Sequence, residues 1–300
     1  MPIVQLNHIR KVYDTKVAVA DLSFTIEPGT MFGLLGPNGS GKTSSIRMMI
    51  GITVPDSGSV SLFDRPFTRK VLARVGYLPE ERGLYKKMNV LDQLVFLGQL
   101  HGLSASVATA RARRWCERLH IAEAIPKKTE DLSKGMQQKI QFIATLLHEP
   151  DLILMDEPFS GLDPVNAVLL MDTLAELRRE GKAILFSTHR MDQVEKLCDT
   201  ICLVDKGQAV LSGTMREVKS RYPRNSVTIQ YEGSDAFLQF PGIAGSRSFP
   251  GSSEIELKPG ASAQDLLHLA AANANIYKFE LAEPSLEEIF IQTVGGRVDA

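Results

Sequence analysis

Cysteine, net charge and long apolar runs are all scarce in this chain, and each scarcity closes off a class of function. The three cysteines, Cys116, Cys198 and Cys202, form no CxxC pair and are odd in number. Neither a disulfide framework nor a zinc site is indicated, and a reducing compartment fits. A formal net charge of −1 supplies no long-range field toward nucleic acid or an anionic membrane, so no nucleic-acid partner is expected. The one local basic cluster, Arg111, Arg113 and Arg114, reads as a solvated helix face. No apolar run approaches the roughly 20 residues that cross a bilayer. The opening MPIVQLNHIRKVYD has no apolar core of the signal-peptide kind, so no secretory leader is expected.

What remains is ordinary globular material, 44% hydrophobic and 23% charged over 300 residues, enough for one large or two modest domains. Short strand-like runs occupy Ile3–Leu6, Leu22–Ile26 and the very apolar Met31–Leu35. The last opens through a glycine-rich turn into a helix over Thr43–Ile50, stopped by Gly51. A turn at Pro55–Gly58 leads to another strand, Ser59–Leu62. From about 86 to 147 the period is helical, with Val90, Leu91, Leu94, Val95 and Leu97 on one side of a first helix. Ser104 is placed to cap a second helix running through Trp115 and Leu119. Strands return at Leu152–Met155, Ala183–Ser187 and Ile201–Val204, alternating with helices near 165–180 and 191–198. That alternation predicts an α/β layer around a mostly parallel sheet.

After Tyr222-Pro223-Arg224-Asn225-Ser226 the texture changes. Strand-like Val227–Tyr231, Glu254–Leu257 and Tyr277–Leu281, a helix start at Ser262 and a capping box at Ser285–Glu288 predict a small α+β domain over 226–300, distinct from 1–224.

Gly36-Pro37-Asn38-Gly39-Ser40-Gly41-Lys42-Thr43, followed by Ser44, matches the phosphate-loop pattern between a strand and a helix. Glycines let successive N–H groups turn toward phosphate oxygens at a positive helix end. Lys42 supplies a cation for the β- and γ-phosphates, and the Thr43 hydroxyl is a hard ligand for Mg²⁺. Upstream, Tyr13 offers an aromatic face to a nucleobase, worth roughly 1 kcal/mol. Downstream, the apolar strand Leu152–Met155 delivers Asp156 and Glu157 at its carboxyl end, where open α/β sheets bind ligands. Asp156 suits Mg²⁺, and Glu157 suits polarising a water for in-line attack on the γ-phosphate. His189 closes a strand ending Ser187-Thr188, positioned to donate to a γ-phosphate oxygen. His8, His101, His120, His148 and His268 have no such setting.

The ordered set Tyr13, GPNGSGKT (36–43), LSKGMQQK (132–139), LILMDEP (152–158), SGLDP (160–164) and STH (187–189) resembles the nucleotide-binding subunit of ABC transporters over about residues 3–220. The resemblance implies a P-loop NTPase (RecA-like) α/β core of ABC type, with an antiparallel β subdomain and a helical insertion. It implies ATP and Mg²⁺ as cofactors, ATP hydrolysis coupled to transmembrane transport, and a head-to-tail dimer in which Ser133 and the backbone of Gly135 reach the γ-phosphate held by a second subunit. Integral membrane permease subunits are the implied partners, with this chain peripheral on the cytoplasmic face of the membrane.

Two departures stand out. The signature is LSGGQ in the family, and here Lys134 and Met136 occupy its third and fifth positions; Glu80 stands where the family has a glutamine, and is expected to keep a Mg²⁺-ligating role with altered charge. The segment Gly76–Tyr85 and the ending Ala282–Phe290 resemble the subgroup paired with ABC-2-type export permeases, including the sodium-extrusion type, so export is the expected direction. A soluble ABC ATPase acting on a ribosome or DNA-repair assembly is the alternative; this chain has neither two ATPase halves nor a long coiled-coil insertion.

Overall fold

The computed structural model describes residues 1–81, 83–222, 226–282 and 284–295. Arg82 and Glu283 of the subgroup segments and residues 223–225 of the texture shift lie outside them. The chain divides into two compact units, Met1–Met215 and Arg216–Ala300, whereas the change in sequence texture sits at 222–226.

The first unit is built on one ten-stranded sheet. In chain order its strands are β1 (Val4–Tyr13), β2 (Lys16–Ile26), β3 (Met31–Leu35), β4 (Ser57–Leu62), β5 (Arg65–Pro66), β6 (Val75–Leu78), β7 (Leu152–Asp156), β8 (Ala183–Thr188), β9 (Thr200–Asp205) and β10 (Gln208–Thr214). The strands run β5-β4-β1-β2-β10-β9-β3-β8-β7-β6 across it. From β9 to β6 the pairing is parallel. Every residue of β3, β7 and β8 is buried, which is why these strands read as continuous apolar runs rather than alternating ones. β1, β2, β4 and β5 form the antiparallel part, and β1 alternates buried Val4 and Leu6 with partly exposed Gln5 and Asn7.

α1 (Lys42–Met49) follows β3 directly. The insertion carries α2 (Val90–Leu100), α3 (Ala105–Arg118) and α4 (Lys134–Leu146). Ser104 caps α3 as expected, accepting from the Val107 amide. On α2 the buried positions are Val90, Gln93, Leu94 and Gly98, so a glutamine sits in the face that sequence period assigns to Leu91, Val95 and Leu97. Gln93 is satisfied there: it accepts from the Tyr85 amide and donates to Thr129. Arg113 and Arg114 are solvated as expected, but Arg111 is half-buried, donating to the Leu147 carbonyl and pairing with Glu149 at 2.9 Å. α5 (Pro164–Arg179) and α6 (Met191–Leu197) complete the layer. Asp163 of SGLDP is the α5 N-cap, accepting from the Asn166 amide at 3.0 Å. Among the described residues no helix is long and apolar enough to cross a membrane.

α7 (Met215–Ser220) lies at the division between the units. The second unit holds β11 (Ser226–Gly233), β12 (Ile243–Phe249), β13 (Ser252–Leu257) and β14 (Ala274–Ala282) in one antiparallel sheet, ordered β12-β13-β11-β14. α8 (Ala263–Asn273), capped by Ser262, contributes Leu266 and Ala270 to a core with Val227, Ile229, Phe237, Ile255 and Leu257. α9 (Leu286–Phe290) begins with the capping box that Ser285 and Glu288 announce.

Candidate functional site

β3 ends at Leu35 and the chain turns at once through Gly36, whose φ is +149°. A Cβ at Gly36 would meet the Val204 carbonyl at 2.1 Å, so only glycine permits this turn against β9. The loop closes on itself, with the Ser40 amide donating to the Pro37 carbonyl at 3.2 Å. It then enters α1, whose N-cap, Gly41, offers no side-chain cap and whose first turn holds no acid. The leading amides of α1 are therefore left for an external anion.

These amides face a cavity of about 340 Å³ lined by Tyr13, Asn38, Gly39, Gly41, Lys42, Thr43, Ser44, Glu80, Asp156 and Glu157, together with Lys16 and Ala18. Tyr13, Asn38, Gly39, the stretch 41–44, and all three acids proposed from sequence thus meet in one space. Gly36, Pro37 and Ser40 lie behind it, where the first two present carbonyls to Lys42 Nζ at 2.8 and 3.0 Å. Burial pulls the Lys42 ammonium below its usual range, while Glu157, Asp156 and Glu80 pull it back up; burial prevails. Tyr13 keeps an exposed ring at the rim, its hydroxyl donating to Thr53 at 3.4 Å and the Lys11 ammonium 5.6 Å from its centroid.

The acids are organised by the pairing of β7 with β8, which sets Asp156 opposite Ser187. Asp156 is 1% exposed; Oδ1 accepts from the Ser187 hydroxyl, and Oδ2 is buried with no partner among the described residues. Glu157 turns out of the strand with φ +48°, a left-handed conformation for a non-glycine residue. Its Oε2 accepts from Thr188 Oγ1 at 2.9 Å, and its Oε1 accepts from the His189 amide at 3.1 Å and from His189 Nδ1 at 2.7 Å. His189 therefore reaches the cavity through Glu157 and does not line it.

Ser133 caps α4, accepting from the Met136 amide at 3.2 Å, and Gly135 lies beside Leu162. Neither lines the cavity. Among the described residues no group of three or more His, Cys, Asp or Glu gathers to hold a metal unaided. A carboxylate oxygen that is buried and unpartnered among the described residues, in the cavity that Thr43 also lines, fits Mg²⁺, which is bound through one or two carboxylates and completes its shell with other hard oxygens, phosphate and water.

Sequence reasoning did not find Lys16 or Ala18 as lining residues, nor the grip of Ser187 and Thr188 on the two acids. The signal for the last was present, since STH ends a strand, but its use depends on which strand lies beside it.

The profile of the ABC transporter family matches residues 19–160, and that of the ATP-binding protein DrrA1-3-like C-terminal domain matches 213–294. The ABC transporter ATP-binding protein YhaQ of Bacillus subtilis is 42% identical over 98% of this chain and 99% of its own length. The chain belongs to the ABC transporter ATP-binding proteins. The linearmycin resistance ATP-binding protein LnrL of Bacillus subtilis is 32% identical over 98% of both chains. The Nod factor export ATP-binding protein I of Cupriavidus metallidurans is 36% identical over 72% of each. A solved ATP-binding subunit of an ABC transporter aligns with a TM-score of 0.67 at 27% identity, covering 73% of this chain and 92% of its own. Clostridium perfringens cbiO1, part of the ABC transporter complex cbiONQ, aligns with a TM-score of 0.65 at 26% identity, covering 73% and 91%. As an ABC ATP-binding protein the chain binds ATP and hydrolyses it to drive transport.

Proposed function

We propose that this chain is the ATP-hydrolysing subunit of an exporter, driving a separately encoded membrane permease from the cytoplasmic face as one half of a head-to-tail dimer. The observation that carries the reading is the separation of Ser133 and Gly135 from the cavity that holds Lys42, Asp156 and Glu157. One chain holds a complete phosphate cradle but presents its signature elsewhere, which suits service to a second copy. An exposed Tyr85 packs edge-on against Phe96, with Leu100 exposed one turn further along α2; such an apolar patch on the insertion suits contact with a membrane partner. Relatives named for Nod factor export and linearmycin resistance support export.

In this reading the loop amides and Lys42 hold the triphosphate, and Tyr13 stacks on the base. Thr43, Asp156 and Glu80 would hold Mg²⁺, which would supply charge neutralisation at the phosphates. Glu157 takes the proton from the attacking water. His189 and Thr188 keep that carboxylate aimed until a nucleotide fills the cavity, when the His189 ring is free to donate to the γ-phosphate instead.

The test is a pull-down of tagged chain from gently solubilised native membranes, with co-purifying proteins identified by mass spectrometry. A stoichiometric polytopic partner supports the proposal. Recovery with soluble assemblies and no membrane protein overturns it while leaving the ATPase intact.

A further inference from the structure

α4 runs from the signature serine to the back of β6, and one of its faces carries buried polar side chains: Gln138, Gln141 and Thr145. Gln138 Nε2 donates at 3.0 Å to the carbonyl of Pro158, the residue after Glu157. Gln141 Nε2 donates to the carbonyls of Pro79 and Glu81, at 3.0 and 3.2 Å, one on each side of Glu80. Thr145 Oγ1 shares its one proton between the Gln141 carbonyl of its own helix at 3.0 Å and the Tyr77 carbonyl at 3.3 Å. The helix lies so close to β6 that a Cβ on Gly76 would sit 2.6 Å from the Thr145 carbonyl. A single rigid element thus grips the backbone beside two of the three cavity carboxylates.

Gln141 makes these bonds at a cost. Its Oε1 is buried with no partner among the described residues. An unmet buried acceptor is unfavourable, and alanine at the same helical position would avoid it with better helix propensity. Packing and propensity therefore do not account for a glutamine here, whereas two carbonyls in need of one rigid double donor do.

We propose that Gln141 is a positioning residue for Glu80, fixing the backbone on both sides of it so that its carboxylate meets the metal–nucleotide end of the cavity. The inference rests on the reading of Glu80 as a metal ligand. It gives the signature helix a direct hold on the metal side of its own chain's site: a displacement of Ser133 moves the Glu80 segment with it.

The test uses the full chain saturated with ATPγS, with Mn²⁺ in place of Mg²⁺ and bound Mn²⁺ followed by electron paramagnetic resonance. Wild type, Gln141→Met, Glu80→Ala and the double variant are compared, each with a thermal melt. Removal of a group that orients a metal ligand typically weakens metal binding by about 10–100-fold. The expected result is a rise of about tenfold in half-saturating Mn²⁺ for each single variant, no further rise in the double variant, and metal-free nucleotide affinity unchanged in Gln141→Met. If Gln141→Met does not fold, Gln141→Ala carries the same comparison. A shift in Glu80→Ala with none in Gln141→Met overturns the proposal and leaves the ligand reading standing. Additive shifts also overturn it, because Gln141 then acts independently of Glu80. No shift in Glu80→Ala removes the ligand reading and the proposal with it.

Discussion

Ser187 stands directly across from Asp156 at the ends of adjacent parallel strands, and its hydroxyl takes one carboxylate oxygen while the other has no partner among the described residues. The aspartate is thereby half-committed to the fold, and its second oxygen stays open on the proposed metal side. Ser187→Ala frees the committed oxygen inside a buried environment. Loss of stability by about 1–3 kcal/mol is expected, as for a buried acceptor left unsatisfied. Urea denaturation checks it; an unchanged midpoint would show that the hydroxyl does not hold Asp156.

Glu157→Gln keeps the side chain's shape, and its one carbonyl oxygen can still accept from His189 with its NH₂ turned to Thr188, but it cannot accept a proton. It is expected to bind ATP near wild-type affinity and to lose about 10²–10⁴-fold in turnover. It should also accumulate as an ATP-bound dimer in size-exclusion chromatography. Lys42→Ala, by contrast, acts on nucleotide affinity itself, read by titration. Rapid turnover by the glutamine variant would sink the assignment of the base.

His148 is stacked on His101 with ring centroids 3.8 Å apart, and bonds the Val75 carbonyl at 3.0 Å. Burial, then the neighbouring His101, Arg111 and Lys182, lower its pKa from 6.5 to about 4, against the bond it donates to the Val75 carbonyl. Because the folded value lies below the unfolded one, the stability it confers is full above pH 6.5 and is lost as pH falls toward 4. Allowing for partial solvent screening, the loss is about 1–2 kcal/mol. His148→Gln keeps a donor for Val75 without titrating. Its urea midpoint is expected to fall less over that interval than the wild-type midpoint does.

Gly76→Ala would push a methyl group into the Thr145 carbonyl, 2.6 Å away, and into Pro150 at 2.9 Å. Helix α4 must then move off β6, at about 1–3 kcal/mol. A lowered melting temperature checks this, and a wild-type melt would show the helix free to shift.

Much of the site was legible because its parts are contiguous. The phosphate loop, the acids after β7 and the caps at Ser104, Ser262 and Ser285 each announce themselves within a few residues. The parallel core was legible because strands covered on both faces leave uninterrupted apolar runs. β12 escaped notice because an edge strand with no buried residue carries no alternation to read. Gln93 and Gln141 escaped because a glutamine on a helix looks solvent-facing until its carbonyl or amide partners, from distant parts of the chain, are known. The hold of His189 on Glu157 escaped for a similar reason. Sequence gives each residue a place at a strand end, and only the adjacency of β7 and β8 brings the two side chains together.

The left-handed backbone at Glu157 sets two opposed local forces on a single residue. A side chain in that conformation costs about 1 kcal/mol or more that glycine would not incur. The bonds its carboxylate accepts from Thr188 and His189 offset that strain, so the conformation persists because the end of the neighbouring strand holds it.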